Sequence, residues 1–364
     1  MRISVLNDMR PLTLLSLSEG PVSPPTGPLT DQHGRPVRDL RISVTDRCNF
    51  RCTYCMPREV FDDRFVFLPR QDMLSFEEIE RLARIFVGLG VRKLRLSGGE
   101  PLMRKDLQDL VAKLAQLHTP DEAMPEIALT TNASLLSRKA AVLARAGLAR
   151  VNVSLDAIDS AVFQRMTDSA VLVDDVLNGI DAAQKAGLGP IKVNMVVRRG
   201  MNEDQILPMV RHFRGSGHVL RFIEFMDVGN SNKWQQNDVF TAAEILSTIQ
   251  SEHPLVAIQA HNRSDVARRW KYADGQGEIG IIASVTQPFC GDCTRARLSA
   301  DGKLYLCLFA QRGIDLRAPL RSGATNVELE KIIRAAWSAR TDRYSEQRGL
   351  SNGRPKIEMS YIGG

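Results

Sequence analysis

The stretch Leu40-Arg-Ile-Ser-Val-Thr-Asp-Arg-Cys48-Asn-Phe-Arg-Cys52-Thr-Tyr-Cys55 places three cysteines directly after a short β-branched run. The run alternates apolar and polar side chains, which predicts a strand followed by a cysteine loop. Three thiolates on one loop can ligate three irons of a [4Fe–4S] cube and leave the fourth iron open. Structural zinc usually takes a fourth protein ligand, and His33 lies upstream of the strand. The spacing therefore favours an iron–sulfur cluster over zinc.

The composition is that of an ordinary globular protein, with 364 residues, 43% hydrophobic and 25% charged. The mean hydropathy is −0.17 and no apolar run reaches 18 residues, so we expect no membrane span. Asp8 and Arg10 interrupt the N-terminal stretch, which is untypical of a signal peptide. We therefore predict a cytoplasmic protein.

The net charge of +6 and the pI of about 9.1 indicate either a basic surface that aids solubility or an anionic ligand. Charge alone does not distinguish nucleic acid, a membrane surface and a nucleoside triphosphate. The six cysteines fall into two tight groups of three. In a cytoplasmic chain such grouping favours metal sites over disulfides.

From residue 38 onward, short apolar runs alternate with stretches of helical periodicity. The predicted strands are Leu40–Val44, Lys93–Leu96, Ile127–Thr131, Val151–Leu155, Ile191–Val197 and Leu220–Phe225. The predicted helices begin with a capping box at Ser75 and continue at Lys105–Leu117, Arg138–Ala146, Val171–Ala186 and Asp204–Phe213. Serial strand–helix units predict parallel strands with right-handed crossovers. The expected fold is an α/β, partial (βα)6 TIM-like barrel with its chemistry at the C-terminal strand ends.

Three segments are predicted along the chain. Residues 1–37 are rich in Pro and Gly and are expected to form a flexible N-terminal tail. Residues 38–227 form the barrel. Residues 228–364 lose the alternation and form an appended C-terminal region, with predicted helices at Thr241–Gln250 and Val327–Ala339 and an apolar run at Ile279–Ala283.

The C-terminal region carries the second cysteine group, Cys290-Gly-Asp-Cys293 followed by Cys307. The spacing alone leaves iron–sulfur and zinc open, and three thiolates without a fourth lean towards a cluster with an open site. Arg295 and Arg297 follow at alternate positions, where an extended segment points both side chains the same way. They are either a surface pair or an anion site, since guanidinium groups suit phosphate oxygens.

The spacing of Cys48, Cys52 and Cys55, with Ser97-Gly-Gly-Glu-Pro101 ending the second strand, resembles the radical S-adenosylmethionine (SAM) superfamily. The resemblance implies that the open iron binds SAM and that an electron from the cluster cleaves it to a 5′-deoxyadenosyl radical. The three cysteines would hold the catalytic cluster. The positions that match SAM contacts are Tyr54, Gly99, Ser154 and Met226.

Residues 38–364 further resemble the GTP 3′,8-cyclase family of molybdenum cofactor biosynthesis, through Arg221-Phe-Ile-Glu-Phe-Met226, Phe289-Cys-Gly-Asp-Cys-Thr-Arg-Ala-Arg297 and a terminal Gly-Gly. The family implies a second [4Fe–4S] cluster with an open iron on Cys290, Cys293 and Cys307. Ala133 stands where the family usually has Gly, which puts the local turn in question. The implied GTP contacts are Arg41, Lys93, Arg95, Thr131, Lys192, Arg221, Arg295, Arg297, Gly363 and Gly364.

The family resemblance also implies partners. The substrate would be GTP, the product would pass to cyclic pyranopterin monophosphate synthase, and a flavodoxin or ferredoxin-like protein would donate electrons. No nucleic acid or membrane partner is expected, and the chain would be a monomer or homodimer.

Two alternatives stay open at this point. One is another radical SAM enzyme with an auxiliary cluster, such as a peptide-modifying one, although those tend to carry more than three downstream cysteines. The other is a non-catalytic iron–sulfur electron carrier or a zinc-stabilised nucleic-acid-binding protein. No basic helix stands out and only 6% of residues are aromatic, which disfavours nucleic acid.

Overall fold

The computed structural model describes residues 29–259, 266–348 and 355–363, and in them one twelve-stranded sheet forms the centre of the protein. The strands are β1 Asp39–Ser43, β2 Lys93–Ser97, β3 Glu126–Thr131, β4 Arg150–Ser154, β5 Lys192–Val197, β6 Val219–Glu224, β7 Leu255–Ile258, β8 Arg268–Tyr272, β9 Glu278–Ile282, β10 Arg295–Leu298, β11 Lys303–Tyr305 and β12 Ile314–Asp315. Their order across the sheet is β12-β11-β10-β1-β2-β3-β4-β5-β6-β9-β8-β7.

The α-helices of the described residues are α1 Phe76–Gly88, α2 Leu107–Leu114, α3 Leu136–Arg145, α4 Ser160–Thr167, α5 Val173–Lys185, α6 Ile206–Phe213, α7 Ala242–Gln250, α8 Arg317–Arg321, α9 Asn326–Ser338 and α10 Met359–Ile362. Ser75 caps α1 with the predicted capping box, and Thr241 and Thr325 cap α7 and α9 in the same way. None of the described helices is both long and apolar enough to cross a membrane.

All six predicted strands are confirmed to within one residue at each end, and β1 to β6 pair in parallel in chain order. The α/β barrel-like fold expected from the sequence is therefore correct. Helix α4 was not predicted, because Ser160–Thr167 is short and weakly patterned.

The C-terminal region extends the same sheet, which the sequence did not predict. β10 pairs in parallel with β1, and β9 pairs in parallel with β6. Antiparallel strands then follow on both sides, β11 and β12 beyond β10 and β8 and β7 beyond β9. The second cysteine group is thereby brought beside the first strand of the barrel.

The strands alternate between an apolar face and a polar face. In β1, Leu40 and Ile42 are fully buried in the core, whereas Asp39 and Arg41 lie on the opposite face. The polar face is concave: burial, followed by the charge of Arg95 on β2, lowers the pKa of Arg221 on β6, so the two side chains lie close together. A flat sheet would separate those two strands by about 19 Å.

Residues 29–37 are packed, which corrects the prediction that the flexible tail extends to residue 37. The side chains of Asp31 and Arg35 are buried, and Trp337 Nε1 on α9 donates to Arg35 O over 3.0 Å. Buried charges need partners, and these residues find them in the C-terminal region. Residues 1–28 of the predicted tail lie outside the described residues.

Candidate active site

The first cysteine loop leaves the C-terminal end of β1 and is anchored on α4. Arg51 N donates to Thr167 O over 2.8 Å, and Thr53 N donates to Met166 O over 3.2 Å. The Arg51 guanidinium turns inward and donates to Cys48 O over 2.8 Å. The unpredicted helix α4 therefore provides the platform on which the three thiols are held.

The thiols of this loop are chemically suited to a cluster. Burial raises the pKa of Cys48 to about 12, with the negative charge of Glu100 adding to the effect, and burial also raises the pKa values of Cys52 and Cys55. Buried thiols of this kind ionise when iron supplies the compensating positive charge. The donor set fits a cluster held by three thiolates.

The described residues contain no group of three or more His, Cys, Asp or Glu side chains that could hold a single metal ion. The three ligands of a cubane each bind a different iron, whereas thiolates around one zinc ion converge on a single centre. Each of the two cysteine groups supplies the three thiols that such a cluster takes.

The Gly98-Gly99-Glu100 turn packs directly on the start of the cysteine loop. Gly99 N donates to Thr45 O and Glu100 N donates to Arg47 O, each over 2.8 Å. A Cβ atom on Gly98 or Gly99 would overlap these backbone oxygens. The two glycines are therefore needed for close backbone packing between β2 and the loop, a reason that their sequence position alone did not reveal.

Glu100 organises the neighbouring strand end. Its carboxylate accepts from Thr131 Oγ1 and Asn132 N, each over 2.7 Å, and from Leu102 N over 2.9 Å. Burial outweighs these bonds and raises the pKa of Glu100 to about 7. The Thr131 hydroxyl is thus bonded to Glu100. The neighbouring Thr130 lies on the other face of β3, where it pairs with Asn152 on β4. The structure does not bring Thr131 together with the other predicted GTP contacts.

Tyr54, predicted beside SAM, is held by a residue that the sequence analysis did not single out. Its hydroxyl donates to Asp156 Oδ2 over 2.7 Å, and Asp156 Oδ1 accepts from Val196 N over 2.8 Å. Burial raises the pKa of Asp156 to about 6. Asp156 lies two residues beyond Ser154, the last residue of β4, so its position near a strand end was the available signal.

The remaining predicted SAM contacts lie at the same end of the barrel. Ser154 is the last residue of β4, and Met226 follows β6 by two residues. Asn232 Nδ2 donates to Met226 O over 3.1 Å and holds that turn. Because the strands are parallel, their C-terminal ends share one edge with the cysteine loop.

Basic side chains fill the concave face below this edge, and we call this set the basic chamber: Arg41, Lys93, Arg95, Lys192, Arg221, Arg295 and Arg297. Strand register places Arg41 beside both Arg95 and Arg297. Few carboxylates balance them: Asp39 lies 3.8 Å from Arg95, and Glu126 lies 2.7 Å from Lys93. The structure therefore brings together the seven predicted basic contacts.

Crowding of positive charge in the chamber shows in the pKa values. Burial, followed by the charges of Arg297 and Arg95, lowers the pKa of Arg41 well below its usual range. Burial and Arg95 lower the pKa of Arg221 to about 9, and burial and Arg221 lower that of Lys192 to about 8. The Nε atoms of Arg41 and Arg95 are buried without a hydrogen-bond partner in the described residues. Such donors call for an anionic ligand.

The second cysteine group sits where β10 begins, beside the basic chamber. Arg295 Nε donates to Cys293 Sγ over 3.3 Å. Burial would raise the pKa of Cys293, but Arg295 and Arg340 outweigh it and lower the pKa to about 6, whereas burial raises that of Cys307 to about 12. Arg295 is thus engaged with a candidate cluster ligand.

The C-terminal end of the chain enters the chamber. Arg297 Nη1 donates to Gly363 O, and Gly363 has a positive φ of 75°. A Cβ atom on Gly363 would overlap Ser97 Oγ at the end of β2. Gly363 therefore lies at the strand ends beside Arg297, while Gly364 lies outside the described residues.

Two family models match consecutive parts of the chain. Residues 42–213 match the Radical SAM superfamily, and residues 218–346 match Molybdenum Cofactor Synthesis C. The structure of Streptococcus suis SuiB bound to S-adenosylmethionine has a TM-score of 0.56 and 16% identity, and covers 88% of this chain and 72% of that one, which shows the fold. The barrel and its cysteine loop define a radical SAM enzyme, a class that carries a [4Fe–4S] cluster and SAM.

Relatives named GTP 3′,8-cyclase match nearly the whole chain. The protein from Acidothermus cellulolyticus is 52% identical over 93% of this chain and 100% of its own length. Those from Xanthomonas axonopodis pv. citri and Staphylococcus carnosus are 51% and 48% identical, over 93% and 92% of this chain and 100% and 99% of their own lengths. The chain belongs to the GTP 3′,8-cyclase family.

Proposed function

We propose that this chain converts GTP into (8S)-3′,8-cyclo-7,8-dihydroguanosine 5′-triphosphate, the first step of molybdenum cofactor biosynthesis. The observation that carries the proposal is the basic chamber, where the buried Nε atoms of Arg41 and Arg95 find no acceptor among the residues that the structure describes. A triphosphate supplies several anionic oxygens in one ligand, which suits a group of guanidinium forks. The names of the full-length relatives support the same substrate.

The chamber residues divide the work of binding. Arg41, Arg95 and Arg221 come from three different strands and would surround the triphosphate from the barrel wall. Lys93 and Lys192 are the first residues of β2 and β5. Their clustering without an anion is costly, so much of the binding free energy comes from relieving repulsion. The substrate is thereby oriented along the barrel axis towards the cysteine loop.

The first cluster, held by Cys48, Cys52 and Cys55, would supply with SAM the 5′-deoxyadenosyl radical that removes a hydrogen atom from the ribose C3′. Tyr54, Gly99, Ser154 and Met226 would hold SAM. Asp156 fixes the Tyr54 hydroxyl, and Glu100 fixes the turn that contains Gly99. The chain's contribution is to keep SAM and the ribose in fixed relative positions while water is excluded.

A second [4Fe–4S] cluster on Cys290, Cys293 and Cys307 would stand next to the guanine base. The parallel pairing of β10 with β1 supports this placement, because it brings Arg295 and Arg297 into register with Asp39 and Arg41. Gly363, held by Arg297, would close the chamber from the C-terminal side. Gly364, which follows Gly363 in the sequence, is included in the proposed site as a GTP contact.

The cellular setting is proposed with the function. The product would pass to cyclic pyranopterin monophosphate synthase, and a flavodoxin or ferredoxin-like protein would deliver electrons. The chain would act in the cytoplasm as a monomer or homodimer. Residues 38–227 would form the radical SAM part and residues 228–364 the part for the auxiliary cluster, with the two parts sharing one sheet.

The test is an anaerobic incubation of the iron–sulfur-reconstituted protein with SAM, dithionite and GTP, followed by mass spectrometry. We expect 5′-deoxyadenosine together with an isomer of GTP of unchanged mass. Formation of 5′-deoxyadenosine with GTP left intact would reject the substrate and keep the radical SAM chemistry. Omitting SAM is the control, since neither product should then form.

A further inference from the structure

Asp31, Arg35 and Arg340 form a buried cluster of charged side chains, here called the rear triad, behind the second cysteine group. Their side chains are 0%, 2% and 1% exposed. Asp31 Oδ2 accepts from Arg35 Nε over 2.6 Å and from Arg340 Nη1 over 3.1 Å. Asp31 Oδ1 accepts from the backbone N of His33 and of Arg35, each over 2.9 Å. One carboxylate thus fixes both guanidinium groups.

Each arginine of the rear triad holds the backbone of one cysteine. Arg35 Nη1 donates to Cys290 O over 2.6 Å, and Arg340 Nη1 donates to Cys293 O over 2.8 Å. Both bonds are charge-assisted and partly buried, so they restrict the short turn between the two cysteines. Trp337 further fixes Arg340, whose guanidinium carbon lies 4.6 Å from the indole ring centre.

The rear triad also carries more positive charge than it neutralises. Two guanidinium groups share one buried carboxylate, and Arg35 Nη2 and Arg340 Nε are buried without a hydrogen-bond partner in the described residues. Asp342 Oδ2 lies 3.9 Å from Arg340 Nε, but the Asp342 side chain is 39% exposed to water. An unbalanced buried cation is costly unless an anion lies nearby. A cluster ligated by three thiolates is such an anion.

We propose that Asp31, Arg35 and Arg340 are positioning residues for the auxiliary cluster. They hold the Cys290–Cys293 turn in its ligating shape, and their excess positive charge raises the reduction potential of that cluster. The inference rests on the proposed function, because it requires a cluster on the second cysteine group. Reduction adds negative charge to a cluster, so a nearby buried cation stabilises the reduced form.

The experiment compares Arg340→Gln with Arg340→Lys in the full-length, reconstituted protein. We expect Arg340→Gln to lose about half of the bound iron or, where the iron is kept, to lower the midpoint potential of one cluster. Arg340→Lys keeps the charge and is expected to keep the potential close to that of the wild type. Arg334→Gln is the matched control, since Arg334 pairs with Glu330 on the partly exposed surface of α9.

Three readouts make the outcome decisive. Iron content per chain, potentiometric titration followed by electron paramagnetic resonance, and SAM cleavage by the first cluster are measured for each variant. SAM cleavage at the wild-type level shows that Arg340→Gln has folded. Full iron content with an unchanged potential in Arg340→Gln would overturn the role of the triad. If Cys290→Ser leaves the iron content of the wild type unchanged, the second cluster itself is rejected and the inference falls with it.

Discussion

Arg41 and Arg95 stand side by side on β1 and β2, with their buried Nε atoms unpartnered in the described residues. Neighbouring like charges of this kind destabilise the ligand-free protein. The same charges bind an anionic ligand strongly, because the ligand removes the repulsion. These two residues therefore lower the stability of the ligand-free protein and raise its affinity for an anionic ligand.

Replacing Arg41 by Met tests this balance. The substitution keeps most of the side-chain volume but removes the charge, so we expect the affinity for GTP to fall about 10- to 100-fold. We also expect the ligand-free protein to become more stable by about 1 kcal/mol. Calorimetric titration with GTP and thermal unfolding measure the two effects. Arg92→Met is the control, because Arg92 pairs with Asp121 on the surface; a loss of stability in Arg41→Met would contradict the argument.

Because Glu100 is buried, we expect the free energy of unfolding to depend on pH. Burial raises the pKa of Glu100 to about 7, from 4.5 in the unfolded chain, so the folded state binds the proton more tightly. The wild type should therefore lose stability relative to Glu100→Gln as the pH rises from 4.5 to 7, by up to about 3 kcal/mol. Anaerobic thermal unfolding from pH 5 to pH 8 measures the difference.

The control for this pH dependence is Glu77→Gln. Hydrogen bonding to its own backbone N–H lowers the pKa of Glu77, so the carboxylate is ionised in both states over this pH range. The difference in stability between the wild type and Glu77→Gln should therefore not change between pH 5 and pH 8. A flat difference for Glu100→Gln as well would show that Glu100 is not held as described.

At the scale of elements, α5 packs on the turn after β3 through a glycine. Ala133 in that turn has a φ of 60°, a left-handed conformation that glycine adopts more easily than alanine. A Cβ atom on Gly179 of α5 would stand 2.6 Å from Ala133 O. Helix α5 can therefore pack this closely on the turn only because residue 179 is a glycine.

Gly179→Ala should therefore destabilise the protein by about 1–3 kcal/mol despite the higher helix propensity of Ala. Gly88→Ala on α1 is the matched control: it is helical and an added Cβ meets nothing within 4 Å. The control should be neutral or more stable by up to about 1 kcal/mol. Thermal unfolding of both variants decides, and equal effects would refute the packing explanation.

At the scale of the whole molecule, one buried carboxylate joins the two parts of the chain. Glu224 at the end of β6 is fully buried. It accepts from Ala242 N over 2.7 Å, from Val285 N over 2.8 Å and from Thr286 N over 2.9 Å. These donors start α7 and the segment after β9, so Glu224 ties the C-terminal region to the barrel.

Glu224→Gln should cost about 2–4 kcal/mol, because the amide NH2 replaces an acceptor that faces N–H donors. Glu278→Gln is the control, since Glu278 on β9 pairs with Arg269 on β8, both side chains are partly exposed, and the change should cost under about 1 kcal/mol. Thermal unfolding followed by circular dichroism compares the two. Similar losses would show that Glu224 is not the main tie.

The six barrel strands, the cysteine loop and the basic residues could be predicted from the sequence. Runs that alternate polar and apolar residues, such as Lys93–Ser97, show the period of a strand, and the spacing of Cys48, Cys52 and Cys55 is set within one loop. These signals are local, so chain order is enough to read them. The assignments of individual residues to GTP and SAM came from the family resemblance and remain predictions.

The contacts between residues far apart in the sequence became visible in the folded structure. β10 joins β1 across more than 250 residues of chain, and Asp31 reaches Arg340 from the opposite end. Thr131, which the resemblance assigned to GTP, donates a hydrogen bond to Glu100. Arg295, which the resemblance also assigned to GTP, donates one to Cys293. Such choices depend on which partner satisfies a buried polar group, and that partner is fixed by packing between elements. Local sequence patterns carry no record of it.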